Sequence, residues 1–354
     1  MRKISARGML RFGGIIVPVA ITHIIAALFT AATIVGAPAT GGAAVENTPT
    51  PTTTPPHHQP ITALWRDLTP TCTGTGNDGA RVQAVYAYEA GTHSQFHRAE
   101  PIIRRELARI DSTFDLSARK TGSGRRARWV STHCRPHIAT ITVPPGTFTA
   151  STGIETTEKA LLAQGMGSPQ RKYLVFAQAR NICGVSTIYR DSSHRDNASN
   201  GRYTAHARID ETCWISPDWS VAAHELVHML GGVQPDAPHA SGKYHCDDAN
   251  DLMCYRETPT TRLRPVCGLE HVGLLDCGGD DYFSTAPRRG GYLASHWNVA
   301  DSVFLDRTPH VVCCARSTDR CARQTETWTD PGSKNPRRSR RAEVHLARTG
   351  NQEQ

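Results

Sequence analysis

The central part of the sequence lacks net charge, although the chain as a whole is basic. The formal net charge is +8, but residues 1–45 contain four Lys or Arg and no acidic residue, and residues 331–354 contain six against two. These two ends account for the excess, so the region between them is close to neutral. A nucleic-acid-binding domain concentrates positive charge on its folded surface. The composition therefore gives no reason to expect a nucleic-acid partner. The sequence also shows no internal repeat.

The two ends also lack the pattern of a folded domain. Residues 1–45 place basic residues ahead of an apolar run at 15–35 and small residues before Ala44, which is typical of a cleaved export signal. Because about 20 apolar residues can span a bilayer, an uncleaved membrane anchor is the alternative. Residues 46–62 are a Thr/Pro-rich linker, and the basic tail at 309–354 is expected to be disordered. We therefore expect a secreted, monomeric protein with its folded domain at 63–308.

The cysteine content agrees with export. Eleven cysteines in an exported chain predict disulfides, although the pairing cannot be read from the sequence alone. Short loops favour Cys246 with Cys254 and Cys267 with Cys277, and weaker candidates are Cys183 with Cys213 and Cys72 with Cys134. The remaining set is odd in number, so one thiol is free or pairs with another molecule; it consists of Cys313, Cys314 and Cys321.

The central region mixes strand and helix patterns. Alternating or β-branched runs predict strands at residues 81–88, 137–144, 172–179, 184–190 and 204–210. A helix is predicted over 101–114, because Ile103, Leu107, Ile110 and Phe114 recur at helical spacing, and a shorter one over 156–164. This mixture predicts an α/β (α+β) fold with helices packed on a sheet.

A further helix of about fourteen residues is predicted within "SPDWSVAAHELVHML". Ser216 is the predicted N-cap, Pro217 fits the first helical position, and Asp218 complements the positive helix end. Gly231 and Gly232 predict a left-handed stop.

This helix carries a pattern typical of a zinc site. His224 and His228 are four residues apart, so their imidazoles lie on one face and can bind the same zinc ion. Glu225 follows the first histidine and is placed to take a proton from a zinc-bound water. The H-E-x-x-H pattern alone is moderately specific, and the features downstream strengthen it.

The downstream features are Gly231, three residues past the second histidine, and Met253-Cys254-Tyr255 in "DLMCY". Together with H-E-x-x-H they resemble the metzincin clan of zinc metallopeptidases, whose later Met-turn has the form M-x-Y in its astacin-like and serralysin-like branches. With "DCGGDDYF" and "YLASHWN", the chain also resembles a group of secreted actinobacterial proteins.

The metzincin resemblance implies both a fold and an activity. The fold would have an upper subdomain at 65–232 with a twisted mixed sheet and the active-site helix, and a smaller disulfide-rich lower subdomain at 233–308. Met253 would lie beneath the metal, and Tyr255 would ligate zinc or donate a hydrogen bond to the developing oxyanion. The activity would be hydrolysis of peptide or protein substrates, with Glu225 as general base.

The sequence departs from the clan at Gln234, where the long motif has histidine or aspartate. A neutral amide is a poor zinc ligand, so another residue is expected to complete the site. His239 is the first choice, because the stiff five-residue loop at 235–239 could bring its side chain back to the metal. His245 and Gln234 itself are the alternatives.

Two further interpretations stay open. The acidic residues Asp247, Asp248, Asp251, Asp280 and Asp281 are compatible with Ca²⁺ binding, although they match no full loop motif and could be solvated turn residues. The alternative to a peptidase is a non-catalytic exported binding module whose zinc is structural, with four protein ligands.

Overall fold

The computed structural model describes residues 21–24, 73–149, 153–216 and 219–307. The predicted linker, the basic tail and all of the predicted export signal except 21–24 lie outside the described residues. The cysteines at 72, 313, 314 and 321 lie outside them as well, and so do Pro217 and Asp218.

The elements alternate between strands and helices along the chain. The helices are α1 (Phe96–Thr121), α2 (Glu155–Ala163) and α3 (Val221–Met229). The strands are β1 (Ile21–Ile24), β2 (Arg81–Glu89), β3 (Arg126–Ala127), β4 (Ser131–Thr132), β5 (Arg135–Pro136), β6 (Ile138–Val143), β7 (Arg171–Ala177), β8 (Gly184–Ile188), β9 (Ala205–Asp210) and β10 (Leu305–Asp306).

The main sheet has the order β1-β8-β9-β7-β2-β6. Strands β6, β2, β7 and β9 run parallel, and β8 pairs antiparallel with β9. The short strand β1, which falls within the predicted export signal, pairs antiparallel with the outer edge of β8. The five strands predicted in the central region are confirmed as β2, β6, β7, β8 and β9. The mixed α/β class predicted from the sequence is confirmed as well.

Helices α1 and α3 share one hydrophobic core with the main sheet. Ile103, Leu107, Ile110 and Phe114 are all buried, which confirms the apolar face predicted for α1. This helix begins at Phe96 rather than near residue 101, and Pro101 lies inside it. Helix α3 packs against β8, β9 and α1, so the H-E-x-x-H segment is buried between the sheet edge and a second helix.

The chain after Leu230 is rich in loops and short helical turns. Its buried residues Met253, Tyr282, Phe283 and Trp297 belong to the same hydrophobic core as Leu226 of α3. Strand β10 then pairs antiparallel with β3, which returns the chain to the end of α1.

Disulfides tie the loops together. Cys183 pairs with Cys213, Cys246 with Cys254, and Cys267 with Cys277, which confirms these predicted pairs. Cys134 is also disulfide-bonded, and its predicted partner, Cys72, lies outside the described residues. Among those residues, no helix is both long enough and apolar enough to cross a membrane.

Candidate metal centre

Helix α3 begins four residues later than the sequence pattern predicts. Ser220 is the N-cap, and its hydroxyl accepts a hydrogen bond from the backbone N–H of Ala223 at 3.1 Å. The predicted cap, Ser216, was therefore wrong, and α3 spans nine residues rather than about fourteen.

Contacts with α1 explain the late start. The guanidinium of Arg109 donates hydrogen bonds to the carbonyls of Ser216 and Trp219, at 2.7 and 2.9 Å. Arg109 pairs with the carboxylate of Glu106, which also accepts a hydrogen bond from the Ser220 hydroxyl at 3.1 Å. These contacts hold the chain before Ser220 against α1, and they set the position of the histidines that follow.

The side chains of three histidines converge, two from α3 and one from the loop that follows it. Nε2 of His228 lies 3.1 Å from Nε2 of His224 and 3.1 Å from Nε2 of His245. All three side chains are buried, and their ligand atoms lie within 4.8 Å of one another. Nitrogens bound to one tetrahedral zinc at 2.0–2.1 Å would be about 3.3 Å apart. The observed spacing therefore fits a single zinc ion between the rings.

The opposite nitrogen of each ring has an acceptor within hydrogen-bond distance. These acceptors are the carbonyl of Leu252 for His224 at 2.9 Å, the carbonyl of Gly232 for His228 at 3.0 Å, and the carboxylate of Glu257 for His245 at 2.8 Å. A carbonyl or carboxylate can only accept, so each Nδ1 carries the proton and each Nε2 presents a lone pair. Three lone pairs that face one another repel unless a cation lies between them.

Burial favours the neutral imidazole that a metal requires. It lowers the pKa of His224 to about 4, with a partial offset from the hydrogen bond to Leu252. The ring is therefore uncharged at neutral pH and available as a ligand.

Glu225 lies beside this cluster with a free carboxylate oxygen. Its side chain is buried, which raises its pKa well above the usual value. Within the described part of the chain, Oε1 accepts no hydrogen bond. Gly184, the first residue of β8, leaves room for it, because a Cβ at that position would lie 2.4 Å from Oε1. The hydroxyl of Ser186 also donates to the Glu225 backbone carbonyl at 3.0 Å, which fixes α3 to β8.

Tyr255 contacts the same cluster. Its ring centroid lies 4.3 Å from that of His245 and 6.2 Å from that of His224. Burial and the nearby charges of Glu257 and Glu225 raise its pKa, so the phenol of the metal-free site is protonated at neutral pH.

Met253 lies in a tight turn, as the sequence pattern predicts. The turn is closed by a hydrogen bond from Cys254 N–H to the Asp251 carbonyl at 3.2 Å. The Asp251 carboxylate also accepts from Met253 N–H at 2.7 Å. Met253 is fully buried, and the bond between Cys246 and Cys254 joins this turn to the residue after His245.

Gln234 does not face the three histidines. Its amide donates hydrogen bonds to the carbonyls of Tyr189 and Gly231 at 3.0 and 2.9 Å, and its Oε1 accepts from Asp191 N–H at 3.0 Å. The side chain therefore ties the loop after α3 to the segment after β8. Gly231 itself has φ of 93°, as predicted for a left-handed helix stop.

The structure also keeps His239, the first choice for the third ligand, apart from His224 and His228. Its Nδ1 lies 2.8 Å from Asp248 Oδ2 and 3.1 Å from Asp281 Oδ2. The residue that the structure places beside the helix histidines is His245, the second choice.

The acidic residues considered for calcium separate into different contacts. Asp247 pairs with Arg264, Asp251 supports the Met253 turn, and Asp248 and Asp281 face His239. Asp280 lies beside Asp281 and the buried Asp276.

Glu257 and Gly184 are the functional candidates that the sequence patterns did not reveal. Glu257 lies two residues beyond Tyr255, and a carboxylate so close to the M-x-Y turn was the available signal. Gly184 opens a strand of β-branched residues, where a glycine has no side chain to pack and often marks a close approach.

Comparisons with known proteins give limited information. No protein-family model matches the chain, and no curated protein matches it. Among solved structures, a distant neighbour is metalloproteinase-II from Bacteroides fragilis, with 12% identity over 61% of this chain and 60% of that chain and a TM-score of 0.28. The match thus spans less than two thirds of the neighbour's length. A TM-score this low does not establish a shared fold, so the side-chain geometry is what bears on function.

Proposed function

We propose that this protein is a secreted zinc-dependent endopeptidase of the metzincin type. The observation that supports this most is the convergence of Nε2 of His224, His228 and His245 beside the buried carboxylate of Glu225. These three histidines would hold the metal, with His245 in the role that the sequence pattern first suggested for His239.

The zinc ion, when bound, would polarise the scissile carbonyl and lower the pKa of a water from about 16 toward about 7. Glu225 would accept the proton of the attacking water at Oε1, the oxygen that has no hydrogen-bond partner in the described residues. It would then deliver this proton to the leaving amine. Burial raises the pKa of this carboxyl, which strengthens its hold on the proton taken from the water.

Tyr255 would assist at the oxygen of the substrate carbonyl. Its ring lies against His245, so its hydroxyl belongs to the same site. We propose that the hydroxyl donates a hydrogen bond to the oxyanion; ligation of zinc is the alternative role.

The substrate would be an extended peptide bound along β8. This strand lies against α3, and its outer edge, which β1 of the predicted export signal occupies here, would take an antiparallel peptide once that signal is cleaved. A peptide in that position would bind through backbone hydrogen bonds and pass in front of Glu225.

A structural zinc site is the competing proposal, and the two differ in ligand number. Structural sites are closed by four protein ligands, whereas catalytic sites use three and keep one position for water. Within the described residues, the cluster around α3 gathers three histidine ligands. The carboxylate of Glu225 would have no function in a structural zinc site, which also favours the catalytic proposal.

The test is cleavage of casein by the purified secreted form, with zinc content measured on the same samples. Glu225→Gln should keep its zinc and lose activity by about 100-fold or more, because general base catalysis contributes roughly 10²–10⁴-fold. Glu100→Gln is the matched control, since the Glu100 side chain on α1 is 38% exposed and pairs only with the neighbouring Arg104 among the ion pairs of the described residues, so this variant should retain full activity.

Two results would contradict the proposal. Full activity of Glu225→Gln would exclude the mechanism. A wild-type protein that binds zinc at the histidine cluster and cleaves no protein substrate would favour the structural alternative.

A further inference from the structure

A second group of metal-ligating side chains lies outside the histidine cluster. Nδ1 of His239 lies 2.8 Å from Oδ2 of Asp248 and 3.1 Å from Oδ2 of Asp281. Both aspartate side chains are fully buried, and that of His239 is 22% exposed. The three ligand atoms lie within 4.8 Å of one another.

The hydrogen bonds of this group do not balance. A ring N–H has one hydrogen and can point at one acceptor, yet two carboxylate oxygens lie within about 3 Å of the same nitrogen. Oδ2 of Asp281 and Oδ1 of Asp248 are both buried and, in the described part of the chain, accept no hydrogen bond. Buried carboxylate oxygens without a donor are costly, so a missing partner is indicated.

The charges do not balance either. Arg264 lies 3.5 Å from Asp248 Oδ1, but its closer partner is Asp247 at 2.5 Å. Besides Asp248 and Asp281, the carboxylates of Asp276 and Asp280 lie beside this group, so its acidic side chains outnumber the guanidinium of Arg264.

We propose that His239, Asp248 and Asp281 bind a second divalent cation, and that this cation is zinc. A cation between the three side chains would supply the partner that the two free oxygens lack. An imidazole nitrogen with two carboxylates is a zinc-type ligand set, whereas calcium takes oxygen ligands alone. This site is separate from the one that we assign to catalysis, and it does not depend on peptidase activity.

The second site would fix the loop that presents His245. Residues 239–247 fold back on themselves through hydrogen bonds from Asp247 N–H to the His239 carbonyl at 2.9 Å and from Ser241 N–H to the His245 carbonyl at 2.7 Å. A cation at one end of this loop would hold the other end in place. Loss of the second ion should therefore weaken zinc binding by His224, His228 and His245, although none of those residues is altered.

The experiment is a measurement of zinc stoichiometry on the purified secreted protein after dialysis against buffered zinc. Wild type should hold about two zinc ions per chain. The pair Asp248→Asn and Asp281→Asn, made together, should lose one of them. His224→Ala with His228→Ala should also lose one, and it should retain the ion at His239. The variant with both His224→Ala and His228→Ala separates this inference from the proposed function. Zinc binding at either site can be measured even when the other site binds none.

The matched control is Asp247→Asn, which removes one negative charge from the residue next to Asp248 but from no ligand of the proposed site. It should keep both ions. Far-UV circular dichroism of each variant verifies folding, and His239→Ala provides a second route if the aspartate pair does not fold.

Several results would overturn the proposal. These are one zinc per chain in wild type with the histidine cluster loaded, two zinc ions in the aspartate variant, and equal loss in Asp247→Asn. In a titration of the metal-free His224→Ala/His228→Ala variant, binding of calcium alone but not of zinc alone would overturn the choice of metal.

Discussion

Nδ1 of His245 and Oε1 of Glu257 lie 2.8 Å apart, in a hydrogen bond that orients the ring with its Nε2 toward His228. The second oxygen of Glu257 accepts a short hydrogen bond from the hydroxyl of Ser241. A carboxylate behind a metal-binding histidine fixes the ring and raises its basicity. Glu257 is therefore a positioning residue for the proposed zinc site rather than a ligand.

Replacement of Glu257 should weaken zinc binding. We expect Glu257→Ala to lower zinc affinity by about 10–100-fold, the usual effect of removing such a partner. Glu257→Gln should fall between wild type and Ala, because its amide oxygen can still accept from Nδ1 but carries no charge. Competition with a fluorescent zinc chelator measures the affinities, and the exposed Glu270→Gln is the control. Equal affinities in wild type and Glu257→Ala would refute this role.

Gly184 should be necessary for activity but not for zinc. A Cβ at this position would meet Glu225 Oε1 at 2.4 Å and Val221 Cγ1 at 2.9 Å, both too close. In Gly184→Ala we expect the carboxylate of Glu225 to be displaced, since the helix carrying it is packed on the sheet. Because a displacement of about 1 Å at a catalytic group can cost about 10²-fold, kcat should fall by that order. Zinc content should be unchanged.

The control for this substitution is Gly167→Ala at an exposed position, where the new methyl would meet only the side chain of Leu162. It should keep wild-type kcat. A normal kcat in Gly184→Ala would mean that the Glu225 side chain avoids the new methyl group without loss of activity. That result would refute the role assigned to Gly184.

Gln234 should contribute to stability and not to metal binding. Its side chain satisfies two buried carbonyls, those of Tyr189 and Gly231, and the N–H of the half-buried Asp191. A buried group left without its partner costs about 1–3 kcal/mol, so Gln234→Ala should lower the free energy of unfolding by at least that amount. Urea unfolding of the zinc-loaded protein provides the measurement. Loss of zinc from folded Gln234→Ala would instead revive Gln234 as a ligand.

The features predicted correctly from the sequence are those with local causes. The face of α1 and the five central strands follow from side-chain periodicity, and the short disulfide loops follow from spacing. The prediction of Ser216 as helix cap has equally local grounds. The N-cap is instead Ser220, whose hydroxyl binds Glu106, a residue more than a hundred positions earlier in the chain. Arg109 on the same helix binds the carbonyls of Ser216 and Trp219.

The third histidine shows the same limit. Near the motif, His239 and His245 are both candidates, and the loop between them could present either one. The structure places His245 beside α3, where Glu257 accepts its hydrogen bond and the Cys246–Cys254 bond anchors its neighbour. His239 has two buried carboxylates as partners instead. None of these pairings can be read from a residue's immediate neighbours.

Lys172 provides a pH-dependent prediction, because it is a fully buried lysine in the centre of the sheet. Its ammonium donates a hydrogen bond to the Tyr203 carbonyl at 3.1 Å and lies 4.9 Å from the Phe304 ring centroid. Burial lowers its pKa from 10.5 to about 7. The folded protein therefore binds this proton less readily than the unfolded chain does.

The stability of the folded state should consequently rise between pH 7 and pH 10.5 through this residue. Below about pH 7 the lysine is charged in both the folded and the unfolded state, and its burial lowers the free energy of unfolding by at most about 5 kcal/mol. This cost disappears as the pH approaches 10.5, the pKa of the lysine in the unfolded chain. Lys172→Met should thus have a larger free energy of unfolding than wild type at pH 6. The lost hydrogen bond reduces this gain by roughly 1 kcal/mol, and the difference between the two proteins should shrink by pH 10. Thermal unfolding at both values, with the exposed Lys159→Met as control, measures this; a difference independent of pH would show that Lys172 keeps its ordinary pKa.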